Sequence, residues 1–213
     1  MTALPPRQPS TRSAHRRRAA IHACAALLRR RGFDAVTYSA VAAEAALPEI
    51  SVRDMFSSRD ELRARGLEFM LNGWVRRAEQ FIDRLPRELD LHDTARLIVE
   101  VATVHDAENW AMSRATISGI YERYLQAGKR PELRRVISEY NSALADLVAR
   151  VLELNGWDTT PVAVNSVLAV VDGTVVYQLA AGQAPVPHAI SLLEFAIPRL
   201  CGSNSLENRE LQP

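Results

Sequence analysis

The sequence predicts an all-α chain of about nine helices, with a small N-terminal head of three helices followed by a larger helical bundle. Three observations carry this. Apolar residues recur at spacings of three and four while strict alternation is scarce. Glycine and proline fall at intervals that cut the chain into helix-length pieces. Charge divides unevenly as well: residues 1–59 hold ten arginines against Asp34, Glu44, Glu49 and Asp54, a formal +6, which leaves −5 on residues 60–213 of a chain whose total is +1. With 47% hydrophobic residues over 213 positions, material for a sizeable core is ample.

The first helix is expected from Thr11 to Arg31, with Ile21, Cys24, Ala25 and Leu28 on one stripe and Gly32 as its stop. Two short helices follow, at about Ser39–Ala46 and Ile50–Phe56. Ser58-Arg59-Asp60-Glu61 reads as a capping box that opens a long helix to about Leu85, ended by Pro86. Later helices are placed at about Leu91–Asp106, Ala111–Ala127, Pro131–Asn155, Pro161–Ala181 and Pro187–Cys201. Thr160-Pro161 offers an N-cap followed by proline at the first helical position. Pro198 should kink the last helix or end it early. Residues 1–12 read as a disordered arm and 203–213 as a polar, frayed tail.

The segment from Thr37 to Leu62 carries the chemistry. Its two short helices share one turn at Ala46-Leu47-Pro48, with small Ala42 where they cross and Val41, Ala45, Leu47, Val52 and Met55 facing the junction. That is helix-turn-helix packing, in which the second helix enters the major groove with its N-terminal residues nearest the bases. Glu49, Ile50 and Ser51 would lie there, with Arg53 and Asp54 on the exposed side. A basic head on an acidic body also orients an encounter with a polyanion.

Here the chain resembles the TetR family. Thr37 takes the place of the family's Thr, Val41-Ala42 of its Ile-Ala, Ala45 of its Ala, and Ser51-Val52 of its Thr-Leu. Phe56 takes that of its Phe, and Arg59 with Leu62 that of its Lys and Leu. The resemblance implies that Thr37, Ser51, Arg53 and Arg59 contact phosphates and that Glu49 and Ile50 sit over bases. Four positions depart from the pattern. Ala46 replaces the Gly of the turn, so a left-handed backbone there would cost on the order of 1 kcal/mol. Ile50 replaces another Gly and offers an apolar surface to a thymine methyl. Arg53 stands in place of a phosphate-contacting Tyr, and Pro48 replaces a capping Ser. Arg16, Arg17 and Arg18 could serve as a DNA-contacting arm or as a charged helix start; Arg16 and Arg17 are carried forward as contacts.

Resemblance further implies that the last two long helices, 162–181 and 187–200, pair with those of a second copy as a four-helix bundle. The run Val167–Val171 continuing through Val175-Val176-Tyr177 is apolar almost all round, which a single protomer buries only in part. Asp172 within it is costly unless paired. Resemblance places an effector cavity among the central helices, for which Trp74, His105, Trp110, Tyr121, Tyr124, Tyr140 and Asp172 are the candidate lining residues.

Domain boundaries are expected at 13–59 for the head and 60–202 for the ligand-binding and dimerisation domain. The reading is a dimeric regulator of transcription, relieved from a palindromic operator by a small molecule as the helix from Asp60 to Leu85 tilts. The partners are double-stranded DNA, the effector and a second copy. No cofactor or metal is expected: Cys24 and Cys201 lie far apart at no ligand spacing. No phosphate loop, nucleophile elbow or paired carboxylate suggests an enzyme. No window reads as a membrane span or leader, so a cytoplasmic protein is expected. The competing reading is a dimeric helical adaptor or ligand-binding bundle whose head has lost DNA.

Overall fold

The computed structural model describes residues 11–85, 88–103 and 114–202. Residues 1–10 of the expected arm, His105, Trp110, Pro86 and the expected tail from Ser203 lie outside them. Among the described residues there are nine helices and no strand: α1 (Thr11–Arg31), α2 (Tyr38–Ala45), α3 (Glu49–Met55), α4 (Arg59–Ile82), α5 (Leu91–Ala102), α6 (Arg114–Gly128), α7 (Pro131–Glu153), α8 (Pro161–Ala180) and α9 (Pro185–Leu200). The chain divides into two compact units. One comprises Met1–Asn72 with Gln126–Val136, the other Gly73–Leu125 with Ile137–Pro213.

In the first unit α1 buries Ala20, Ala23, Cys24, Ala25, Leu27 and Leu28. The turn after it adds Phe33 and Val36 to the same core, together with Val41 and Ala42 of α2, Val52 of α3 and Phe56. Thr37 caps α2, its hydroxyl accepting from Ala40 N at 3.1 Å. At the other end Ala46 takes the left-handed conformation, φ 52° and ψ 44°. Leu47 N donates to Ala42 O and Ala46 N to Ala43 O, the paired bonds of a Schellman stop. The strain foreseen at Ala46 is thus present, offset by two satisfied carbonyls. Pro48 gives α3 no side-chain cap, as the loss of Ser predicts.

Ser58 Oγ accepts from Glu61 N at 2.9 Å, so the capping box opens α4. Glu61 reaches one residue further back than expected, to Ser57 N at 2.7 Å. The first half of α4 packs Leu62, Ala64 and Leu67 into this core. Gly66 faces α1 there; a Cβ on it would lie 2.4 Å from Cys24 Sγ. The α6–α7 corner belongs to the same unit. Arg130 Nε lies 3.7 Å from Asp60 Oδ1, and its guanidinium lies 5.9 Å from the centre of the Phe33 ring. Beside it Arg63 is 4% exposed, donating to Asp60 at 3.0 Å and to the Phe33 carbonyl at 3.1 Å.

In the second unit α8 packs along α9, and α5 lies against both. Asp90 caps α5 through Asp93 N at 2.7 Å, and Thr160 caps α8 with Pro161 following at the first position. α9 begins at Pro185, two residues before the expected start. The first turn of a helix has no use for these N–H groups, so it accepts Pro185 and Pro187 alike. Pro198 does not end α9 early; it sits in the last turn and forgoes a single backbone bond. α4 stops at Ile82, short of the expected Leu85, and closes with a turn in which Arg84 N and Leu85 N donate to Phe81 O and Ile82 O.

α8 corrects one expectation. Across an 18-residue window its mean hydropathy reaches 1.5, by length and composition alone enough to cross a membrane, a test that the core helix of a soluble protein also passes. Asn165, Asp172 and Gln178 interrupt the apolar run without offsetting it. Val164, Val167, Val171 and Val175 form an inward stripe in the core of the unit, which is why one face is apolar. The opposite face is apolar too: Val162, Val176 and Tyr177 are exposed, as are Leu192, Phe195 and Leu200 on α9.

Candidate nucleic-acid interface and effector site

α3 buries Val52 and turns Glu49, Ile50, Arg53 and Asp54 outward. Ile50 is 70% exposed, a large apolar side chain left bare at the start of a helix. Arg53 Nη2 donates to Glu49 Oε1 at 3.1 Å, and its guanidinium lies 5.2 Å from the centre of the Tyr38 ring. Ser51 is half-buried; Arg16 and Arg59 are exposed. Thr37 spends one acceptor position on its cap and remains half-exposed.

Arg17 is placed differently from the other candidate contacts. Its guanidinium donates to the Met55 carbonyl at the end of α3, pairs with Glu61 at 2.9 Å and lies 4.4 Å from the centre of the Phe56 ring. From α1 these three interactions reach the last residue of α3, its C-cap Phe56 and the first turn of α4, so that Arg17 acts as a clamp among the three helices. Its partners are 38 and 44 residues away in sequence, a relation that no local spacing signals.

Burial works against ionisation of Glu61, but the Ser57 N–H and hydroxyl and the Arg17 guanidinium outweigh it, so its carboxyl titrates below the ordinary range. A carboxylate whose pKa falls on folding adds stability above its unfolded pKa and loses it as pH drops through the folded one. Glu61→Gln is therefore expected to cost about 1 kcal/mol at neutral pH, the worth of a capping interaction. Thermal unfolding across pH would show the gap closing below about pH 4; a constant gap would mean that the charge is irrelevant.

In the second unit three of the expected effector residues gather around Tyr121 of α6. Tyr121 OH donates to Asp172 Oδ1 at 2.9 Å, and the Tyr121 and Tyr124 rings lie 6.3 Å apart. Tyr140 of α7 is 4% exposed and close enough to raise the Tyr121 pKa further. Tyr124 OH donates to Asn141 Oδ1 at 3.1 Å. Burial is the main cause of an upward shift at both Tyr121 and Asp172. Asp172 is exposed in the protomer even so, because it stands on the outward side of α8.

Trp74 is buried, and among the described residues its Nε1 has no hydrogen-bond partner. Two residues escaped the sequence reading. Asn141 shows itself only through Tyr124. Glu100 has Oε1 on Arg96 at 3.2 Å while Oε2 is buried with no hydrogen bond among the described residues, and burial pushes its pKa up. Neither belongs to a motif. Among the described residues no group of three or more His, Cys, Asp or Glu is placed to hold a metal ion.

Residues 89–199, just over half of the sequence, match the family model described as tetracyclin repressor-like, C-terminal domain. The chain belongs to the TetR family. Solved TetR-like structures agree with it along nearly their whole length. The multidrug binding protein EbrR, complexed with proflavin, is 25% identical, covering 87% of this chain and 99% of its own, with a TM-score of 0.65. Its ethidium complex, also 25% identical, covers 86% and 99% at 0.64. A TetR transcription regulator from Haloarcula marismortui ATCC 43049 is 16% identical, covers 88% and 99%, and at a TM-score of 0.63 shares the fold. No curated protein matches the sequence. The TetR family assignment makes the all-helical architecture that of a transcriptional regulator, a class whose members bind DNA and small-molecule ligands.

Proposed function

We propose that this TetR-family chain is a ligand-relieved repressor that binds a palindromic operator as a homodimer. The observation that carries the reading is the outward face of α3, where Ile50, Glu49 and Arg53 stand exposed and Arg17 fixes the helix beneath them. Thr37, Ser51, Arg59 and Arg16 are assigned to phosphates, which position the head without reading sequence. Twofold symmetry follows from the need to place two such helices on successive turns of the groove. The exposed apolar residues of α8 and α9 supply the matching face.

The effector assigned to the second unit is a cationic aromatic molecule. A carboxylate at Asp172 with the Tyr121 and Tyr124 rings beside it suits a positive charge flanked by π-faces. EbrR, the relative at 25% identity, was solved with proflavin and with ethidium. Tyr121 and Tyr124 precede the α6–α7 corner and Tyr140 follows it, so a shift of these helices reaches Arg130 and, through Asp60, the start of α4. α4 is the second route, since it runs from the first unit into the other at Asn72–Gly73. Effector binding then favours a spacing of the two heads that no longer fits adjacent grooves.

The test is selection of bound duplexes from a random pool, followed by a salt titration. A palindromic winner with a steep salt slope, reduced by roughly one for each of Arg16→Ala and Arg59→Ala, is the expected result. Indifference to every duplex in dilute buffer would leave an adaptor as the better reading.

A further inference from the structure

Glu49 and Arg53 stand one turn apart on α3, and their pairing deepens the DNA-binding proposal on which it rests. Two contacts hold the Arg53 guanidinium: the Glu49 carboxylate at 3.1 Å and the face of Tyr38, with the ring centre 5.2 Å away. Both side chains stay open to solvent, 63% and 45% accessible. An exposed ion pair of this kind adds little to stability, because solvent and lost side-chain freedom cancel most of the attraction. Its consequence is geometric. A planar fork with unused donors is fixed beside a carboxylate with an unused acceptor, on the helix that a helix-turn-helix presents to the groove.

That order of groups has a complement in duplex DNA. Read across the major groove, a G·C pair offers two acceptors, guanine N7 and O6, and then a donor, cytosine N4. A C·G pair offers the reverse order, while A·T interposes its donor between acceptors and adds a methyl group. Arginine donors beside a glutamate acceptor mirror the G·C arrangement. A phosphate suits the couple poorly, because any phosphate gripped by Arg53 would come close to the negative Glu49, and like charges at that range repel.

We infer that Glu49 and Arg53 act as one reader of a single G·C pair, Arg53 donating to guanine O6 and N7 and Glu49 accepting from cytosine N4. For Arg53 this replaces the phosphate contact that the family resemblance implies. Tyr38 becomes a positioning residue that holds the fork. Ile50, beside Glu49, covers the neighbouring base pair, where a thymine methyl fits its apolar surface.

The experiment uses the full chain and the duplex that it selects, remade with 7-deazaguanine at each guanine of a half-site in turn. At one position the lost N7 should weaken the native protein about tenfold. Arg53→Ala should bind more weakly overall yet be indifferent to that change, with a salt slope altered by much less than one, since a base contact releases no phosphate counterion. Glu49→Ala should become indifferent to replacing the paired cytosine by 2-pyrimidinone, which lacks the N4 donor, a change that weakens the native protein. Equal melting temperatures would certify that both exposed-site variants fold. If Arg53→Ala instead weakens every duplex alike and lowers the slope by about one, Arg53 grips a phosphate and the inference is wrong. If no position responds to 7-deazaguanine, it is wrong too. If the native protein takes up no duplex at all, the DNA-binding proposal falls with it.

Discussion

Val176→Glu combined with Phe195→Glu is expected to yield folded monomers that bind the selected operator two to four orders of magnitude more weakly than the native protein. Val176 is 48% exposed on α8 and Phe195 58% on α9, and Val162, Tyr177, Leu192 and Leu200 are exposed on the same two helices. Monomeric proteins rarely leave so many large apolar side chains together in water; such a patch marks an association face. In the dimer a carboxylate at 176 would have to be desolvated without a partner, and one at 195 with only Arg199, whose guanidinium lies 3.6 Å from the Phe195 ring centre, to pair it; across a twofold axis each substitution acts twice. Neither side chain belongs to the core of its protomer, so the helices should persist. Two heads joined on one scaffold gain from effective concentration, commonly a factor of about 10² to 10⁴, and that gain is what separation removes. Sedimentation velocity and operator titration of the same preparations decide the matter. Variants that stay dimeric would place the interface elsewhere, and monomers with native affinity would remove the link between symmetry and operator.

Much of this architecture is legible in the amino-acid order because its boundaries are chemical. Thr160-Pro161 and Ser58 mark helix starts through hydrogen bonds made within three residues, which sequence alone can foresee. Ala46 shows the same locality: a missing glycine at a turn that must be left-handed predicts strain, and φ 52° is found there. Long-range relations were hidden. Arg17 looked like one of three equivalent arginines at a helix start, and only the return of α3 and α4 beside α1 makes it a clamp. Glu49 sits four residues from Arg53, a pairing that helical spacing allows, but the Tyr38 ring against the guanidinium comes from α2. In the larger unit, Asp172 and Tyr121 are 51 residues apart and meet by packing; nothing in either local sequence names the other. The half-buried Glu100 carries no sequence signal at all.

Gly66 offers the sharpest test of how the head is built. Alanine should favour an exposed helix at this position by roughly 1 kcal/mol, since glycine is the poorer helix former. The crossing of α1 and α4 reverses the sign. A Cβ there would fall 2.4 Å from Cys24 Sγ, 2.9 Å from Cys24 Cβ and 3.2 Å from Ala25 N. The last of these is backbone, and Cys24 is fully buried with its thiol on the Leu62 carbonyl, so relief requires the two helices to separate. Gly66→Ala is therefore expected to destabilise the chain by about 1–3 kcal/mol, the usual cost of overpacking a tight contact. Cys24→Ala removes the sulfur and should recover a large part of that loss in the double variant. Cys24 also serves as a reporter: burial pushes its pKa up to about 12, so the native thiol resists alkylation near neutral pH. Gly66→Ala should raise its labelling rate by increasing the population of opened molecules. Denaturant unfolding of the four-member cycle measures the coupling. If Gly66→Ala proves neutral and the two substitutions merely add, α1 and α4 do not cross as closely as described, and the platform beneath α3 is looser than its clamp at Arg17 implies.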